Sequence, residues 1–211
     1  ASRAYIPASL WGDVKDILLK QVGELKMGDP EDYTNFVNAV IDKSAFDDIT
    51  GYIDYAKESS DCEILIGGNY DGSKGWFIEP TVVLTTDPHF KLMEEEIFGP
   101  VLSTMRVKDY EEALALAMDH EYGNGTAIYT RDGDTARDFA SRINIGMVGI
   151  NVPIPVPLAY HTFGGWKKSM FGDLNQHGPD AFKFYTRTKT ITSRWPSGIK
   201  EGGEFSIPLM E

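Results

Sequence analysis

From Ser9 to Lys26, the apolar residues Leu10, Val14, Ile17, Leu18, Val22 and Leu25 recur at the spacing of one helix face. Ser9 stands where an N-cap is needed, and the Gly28-Asp29-Pro30 loop ends the pattern. A second helix is predicted over Ser44 to Lys57, with Phe46, Ile49, Tyr52, Ile53 and Ala56 turned inward. Strand signals then begin. Glu63 to Ile66 stops at Gly67-Gly68, and Trp76 to Leu84 follows the turn-rich Asn69 to Gly75. Val101 to Val107 reads as a strand and Tyr110 to His120 as a helix. Thr126 to Thr130 is again strand-like, Asp134 to Ile143 helical and Met147 to Asn151 strand-like. Such alternation predicts an α/β fold built from βαβ units, with a mostly parallel sheet and flanking helices. The strands are short and apolar, as burial on both faces requires.

After Asn151 the periodicity stops. Pro153, Pro155 and Pro157 remove ladder donors and bar a helix, and Gly164, Gly165 and Gly172 follow. Val152 to Gly178 is therefore predicted as one long loop, a feature that usually carries function in a compact domain. A short helix is predicted near Asp180 to Tyr185. Thr188 to Ser193, with threonine at alternate positions, reads as a strand, and Gly198 to Glu211 as a loose tail or an arm on a partner subunit.

Composition narrows the class without choosing a function. A chain of 211 residues, 42% hydrophobic and 25% charged, suits one substantial core. A formal charge of −12 argues against nucleic acid or an anionic membrane as partner. No apolar run approaches the roughly 20 residues that span a bilayer, and no signal segment opens the chain. One cysteine, Cys62, rules out an internal disulfide and fits a reducing compartment. Its neighbours Asp61 and Glu63 oppose a thiolate, so Cys62 is expected to be structural rather than nucleophilic. The four histidines lack metal-ligand spacing, and no metal site is assigned.

The candidate chemistry lies in Glu94-Glu95-Glu96-Ile97-Phe98-Gly99-Pro100. A carboxylate two residues before an aromatic ring, ahead of a Gly-Pro turn, suits a dinucleotide. The carboxylate can accept hydrogen bonds from ribose hydroxyls while the ring packs on nicotinamide. Taken as bare sequence, Glu96 in an acidic run is more often a solvated charge, and Phe98 more often a core residue.

Three motifs in register carry a family resemblance: Glu96-x-Phe98-Gly99-Pro100, Phe77-Ile78-Glu79-Pro80-Thr81 and Phe163-Gly164-Gly165. Together they resemble the aldehyde dehydrogenase superfamily over nearly the whole chain. Residues 1 to about 93, with Phe36 to Asp42 and Gly75 to Pro80, look most like pyrroline-5-carboxylate dehydrogenase. Residues from about 94 onward look most like the CoA-acylating methylmalonate-semialdehyde dehydrogenase, on Glu121 to Thr126, Gly149 to Pro157 and Phe184 to Thr190.

The resemblance implies NAD as cofactor, an aldehyde as substrate and, on the methylmalonate-semialdehyde branch, CoA in place of water to resolve a cysteine thioester. It assigns Glu96 to the nicotinamide-side ribose, Phe98 to the nicotinamide wall and Phe163 to the aldehyde pocket. Ser169-Met170 replaces the usual Ser-Gly of that loop, and Pro155 to Ala159 stands where the glutamate-semialdehyde enzyme has its carboxylate-binding Gly-Ser pair. The family's catalytic cysteine, general-base glutamate and cofactor domain have no counterpart in this sequence, so no catalytic residue is assigned. The chain is expected to be the C-terminal part of a catalytic domain over 1–185, with an oligomerisation strand and tail over 186–211. The resemblance further implies a dimer or tetramer through Arg187 to Arg194, and a cytoplasmic or mitochondrial-matrix location. The competing expectation is a catalytically inert folded piece.

Overall fold

The computed structural model describes residues 1–193 and 195. Its principal sheet has four strands in the order β1, β6, β5, β2. They are β1 (Arg3–Pro7), β2 (Cys62–Ile66), β5 (Thr81–Thr85) and β6 (Val101–Val107). β1 and β5 both pair with β6 in parallel, and β2 closes one edge antiparallel to β5. The two inner strands are nearly continuous buried residues, as parallel strands covered on both faces must be.

Helix α1 (Trp11–Gly23) follows β1, and α2 (Lys43–Glu58) precedes β2. α2 turns Ile49, Thr50, Ile53 and Ala56 into the core, beside Val83, Phe90, Leu92, Met93 and Met105. The helix begins at Asp42, whose side chain accepts the Ala45 N–H at 2.9 Å. β3 (Tyr70–Asp71) and β4 (Phe77–Ile78) form a small hairpin. α3 (Lys91–Glu94) lies between β5 and β6.

The second half is a smaller α/β layer. α4 (Tyr110–Asp119), β7 (Tyr122–Gly123), β8 (Gly125–Ile128), α5 (Gly133–Arg142) and β9 (Met147–Ile150) follow in order. β8 and β9 pair in parallel across α5, and Leu114, Phe139, Ile143 and Ile145 form the core beneath them. β10 (Trp166–Lys167) rises from the long loop to pair antiparallel with β7, and α6 (Asp180–Tyr185) closes the described fold. Asp109 and Asp132 cap α4 and α5 as Asp42 caps α2. Among the described residues no helix is long and apolar enough to cross a membrane.

Three expectations change. Ser9 does not cap α1; Leu10 takes that position with no side-chain hydrogen bond. The single strand predicted over Trp76 to Leu84 divides into β4 and β5, because Pro80 lacks an N–H and the chain changes partners there. Thr188 to Ser193 forms no ladder: a strand needs a neighbour, none pairs with it among the described residues, and Ile191 stands 80% exposed. The tail read from Gly198 to Glu211 lies outside the described residues.

Candidate functional site

The acidic run sits where α3 ends and β6 begins, beside Arg3 at the start of β1. Its three carboxylates have different fates. Glu94 meets the His89 ring at 2.8 Å, and Glu95 accepts from the Tyr52 hydroxyl. Glu96 is exposed and has no hydrogen-bond or salt-bridge partner among the described residues. Arg3 is near enough to feel it: burial pulls the guanidinium pKa down, while Tyr5 and Glu96 favour its charged form.

Two residues on, Phe98 adopts φ = 53° and is 86% exposed. A left-handed backbone costs an L-residue about 1–2 kcal/mol, and a large ring held in water gains nothing to offset it. Phe98 is therefore not part of the core that the described residues form. Strain of this kind collects at functional positions. The turn is held from beneath by Gly99, where an added Cβ would lie 2.8 Å from Ile49 Cδ1, in the buried core.

α3 presents its last carbonyls to three separate elements. Ser103 Oγ donates to Leu92 O at 2.9 Å, and Arg3 Nη1 donates to Met93 O at 2.7 Å. His120 Nε2 lies 3.2 Å from Glu94 O. The Tyr122 N–H donates to His120 Nδ1 at 3.1 Å, so the proton of a neutral ring is on Nε2, facing the carbonyl. Burial and Arg3 both lower the His120 pKa. A cleft of about 280 Å³ beside this junction is lined by Tyr5, His89, Leu116, Asp119 and Glu121 together with Glu94 and His120.

Phe163 lies elsewhere on the long loop and stacks on His177, ring centroids 4.5 Å apart and planes 3° from parallel. Among the described residues neither a hydrogen bond nor a ring contact joins it to Glu96 or Phe98. Trp166 pairs through its backbone with Gly123, and Phe171 is 97% exposed. The loop reaches the acidic turn indirectly. Lys167, at φ = 53°, donates through Nζ to Met118 O at 2.6 Å and His120 O at 2.9 Å. Sequence reasoning missed Arg3, Ser103, His120 and Lys167. No motif marks them, since each acts on backbone distant in sequence. Cys62 sits on β2 with its thiol donating to Ala56 O at 3.1 Å, and burial, then Asp61, raise its pKa. It is not an activated nucleophile.

An exposed carboxylate with no partner among the described residues and an exposed ring at positive φ thus stand two residues apart on one turn of an α/β fold. The aldehyde dehydrogenase family model matches residues 1–191, and the chain belongs to that family. It is 44% identical over 197 residues to the malonate-semialdehyde dehydrogenase of Pseudomonas aeruginosa, covering 92% of this chain and 40% of that protein. A crystal structure described as a methylmalonate-semialdehyde dehydrogenase of Sinorhizobium meliloti 1021 complexed with NAD superposes with a TM-score of 0.88. It is 52% identical and covers 94% of this chain and 41% of its own. The methylmalonate-semialdehyde dehydrogenase of Oceanimonas doudoroffii gives 0.86 at 42% identity, covering 93% and 41%. The chain thus spans about two fifths of the length of these relatives.

Proposed function

We propose that this chain supplies the nicotinamide-side wall and part of the aldehyde funnel of an NAD-dependent semialdehyde dehydrogenase. The observation that carries it is the pairing of Glu96, exposed and without a partner among the described residues, with Phe98, exposed and held at φ = 53°. Glu96 accepts hydrogen bonds from the hydroxyls of the nicotinamide-side ribose, each charge-assisted bond contributing about 1.5–3 kcal/mol. Phe98 gives the nicotinamide a flat apolar face. When bound, NAD takes up the hydride released as the aldehyde is oxidised. The donor set fits such a group: one free carboxylate, one ring, and a turn fixed by Gly99 and Pro100. Phe163, stacked on His177, is proposed to line the aldehyde side.

Relatives named for malonate and methylmalonate semialdehyde align across both halves of the chain, which supports a short semialdehyde as substrate. The likeness of residues 1 to about 93 to pyrroline-5-carboxylate dehydrogenase is then shared superfamily sequence. CoA is the proposed alternative to water in releasing the acyl group. Residues 1–185 are proposed as catalytic-domain structure and 186–211 as the oligomerisation segment. A dimer or tetramer is supported by the exposed stripe Leu10, Val14 and Ile17 along α1 and by the unpaired Thr188 to Ser193. A monomer by light scattering would contradict it. The bacterial relatives and the unpaired Cys62 support a cytoplasmic location.

A second reading, an inert folded or oligomer-forming piece, is favoured by one observation: Cys62, the single thiol, is engaged and unactivated. Incubation with NAD and a semialdehyde panel is expected to yield no NADH from this chain alone, and NADH formation would exclude the inert reading. Saturation-transfer NMR with NAD is expected to mark the nicotinamide protons, with Glu96→Gln reducing the signal severalfold. Equal signals from both proteins would overturn the cofactor assignment.

A further inference from the structure

We propose that His120 and Lys167 are positioning residues that couple the aldehyde-side loop to the turn presenting Glu96 and Phe98. Their functional meaning rests on the reading of that turn as the nicotinamide site. The physical chain is continuous. Lys167, in the loop, draws the carbonyls of Met118 and His120 to its ammonium at 2.6 and 2.9 Å. This fixes the end of α4, where a cation also meets the negative pole of the helix. The His120 side chain, oriented by the Tyr122 N–H at 3.1 Å, then donates from Nε2 to Glu94 O at 3.2 Å. Glu94 is the last residue of α3, and Glu96 follows two residues later.

Two further observations make this more than a surface contact. α3 has only four residues, too few to hold its own end, so the carbonyls of Leu92, Met93 and Glu94 depend on Ser103, Arg3 and His120. The loop is bound to the same corner by further contacts: Ser169 Oγ accepts the Gly123 N–H at 3.0 Å, the Lys168 N–H donates to Glu121 O at 3.3 Å, and the Lys168 ammonium pairs with the Glu121 carboxylate. Lys167 also holds φ = 53°, a backbone a lysine adopts only when its surroundings require it. A loop displaced on the aldehyde side would release Lys167, then His120, then the carboxyl end of α3.

The neutral imidazole supplies a signature. The groups facing it are Arg3 and Tyr5 from β1, His89 and Glu94 around α3, Asp119 and Glu121 from its own segment, Tyr122 from β7 and Lys167 from β10. Protonation at Nδ1 would set an N–H against the Tyr122 N–H and undo the ring's orientation. His120 is held below the ordinary imidazole value in the fold. Its contribution is therefore present above the unfolded value of about 6.5 and is lost as pH falls through the folded one.

Amide hydrogen exchange of the ligand-free chain tests this at the Glu94 and Glu95 N–H groups, which donate to Phe90 O and Lys91 O. Protection relative to the unfolded rate is expected to fall about tenfold in His120→Ala, the effect of one lost hydrogen bond. A smaller fall at the same amides is expected in Lys167→Met, although Lys167 does not touch α3. His120→Gln and Lys167→Arg, which keep a donor, are expected to restore most of the protection. In the unsubstituted chain, protection there should fall with acid while that of β5 and β6 holds. Unchanged protection in Lys167→Met, or an equal loss throughout β5 and β6, would overturn the coupling. Because NAD is absent from this measurement, failure of the cofactor assignment through Glu96→Gln would register separately.

Discussion

Replacing Phe98 by glycine and by alanine should separate the strain of the turn from the use of the ring. Both changes remove the same side chain. Phe98 is 86% exposed, so of about 200 Å² only roughly 30 Å² is covered, worth about 0.7 kcal/mol at about 25 cal/mol per Å². That loss is common to both variants and cancels in their comparison. What remains is backbone. At φ = 53° alanine keeps the left-handed penalty of about 1–2 kcal/mol, which glycine relieves. Against this, glycine adds unfolded-state entropy worth about 0.4–1 kcal/mol. Phe98→Gly should therefore be more stable than Phe98→Ala by about 0.8 kcal/mol.

In a domain of this size that difference moves the thermal midpoint by about 2–3 °C. Urea titration should show it as a higher midpoint with an unchanged slope. At an ordinary φ the order reverses, with glycine less stable by about 0.5–1 kcal/mol. A glycine variant below the alanine variant by that amount would refute the strained turn and remove the argument that Phe98 is held out for a ligand. Both variants should lose nicotinamide contact equally, so the more stable one would gain nothing in cofactor binding.

Gly99→Ala should destabilise the chain by about 1–3 kcal/mol, because its Cβ would lie 2.8–2.9 Å from three atoms of buried Ile49; an unchanged urea midpoint would refute this. Tyr110 donates to Asp138 at 2.7 Å, and burial and that bond push its pKa up to about 12. The fold favours the protonated phenol, so its contribution is complete below about pH 10 and is lost as pH rises towards 12. Tyr110→Phe should flatten that part of the alkaline decline in thermal midpoint; an identical decline would refute it. Cys62 should react with iodoacetamide at pH 7.5 several times more slowly in the folded chain than in urea, because burial and Asp61 raise its pKa; equal rates would refute it.

The elements whose periodicity comes from burial were legible before any coordinates. Ile49, Ile53 and Ala56 face inward from α2 as their spacing required, and Val101 to Val107 is the buried strand that its residues describe. The helix starts were less well read. Asp42, Asp109 and Asp132 each cap a helix, and Asp109 with Glu112 matches a capping-box spacing that could have been used. Ser9, a serine before a periodic run, satisfies the same rule in sequence and yet caps nothing. Partnership was hardest to see: Thr188 to Ser193 has strand residues but no strand, since pairing is a property of two segments and the sequence displays one.

The site shows the same division between local and distant causes. Glu96 and Phe98 could be proposed from the sequence because their relation is local, two residues apart on one turn. General expectation for open α/β sheets would have placed a ligand at the carboxyl ends of the strands. Here the turn lies at the amino end of β6, beside Arg3 at the amino end of β1. That end is usable because α3 stops there with its carbonyls already engaged by Ser103, Arg3 and His120. The backbone is thereby satisfied without Glu96, while Glu94 and Glu95 are occupied by His89 and Tyr52. Of three adjacent identical side chains, the fold withholds two and leaves the third without a partner among the described residues. Sequence could locate the run, but which carboxylate is free depends on partners as far away as Tyr52, and only the folded chain brings them together.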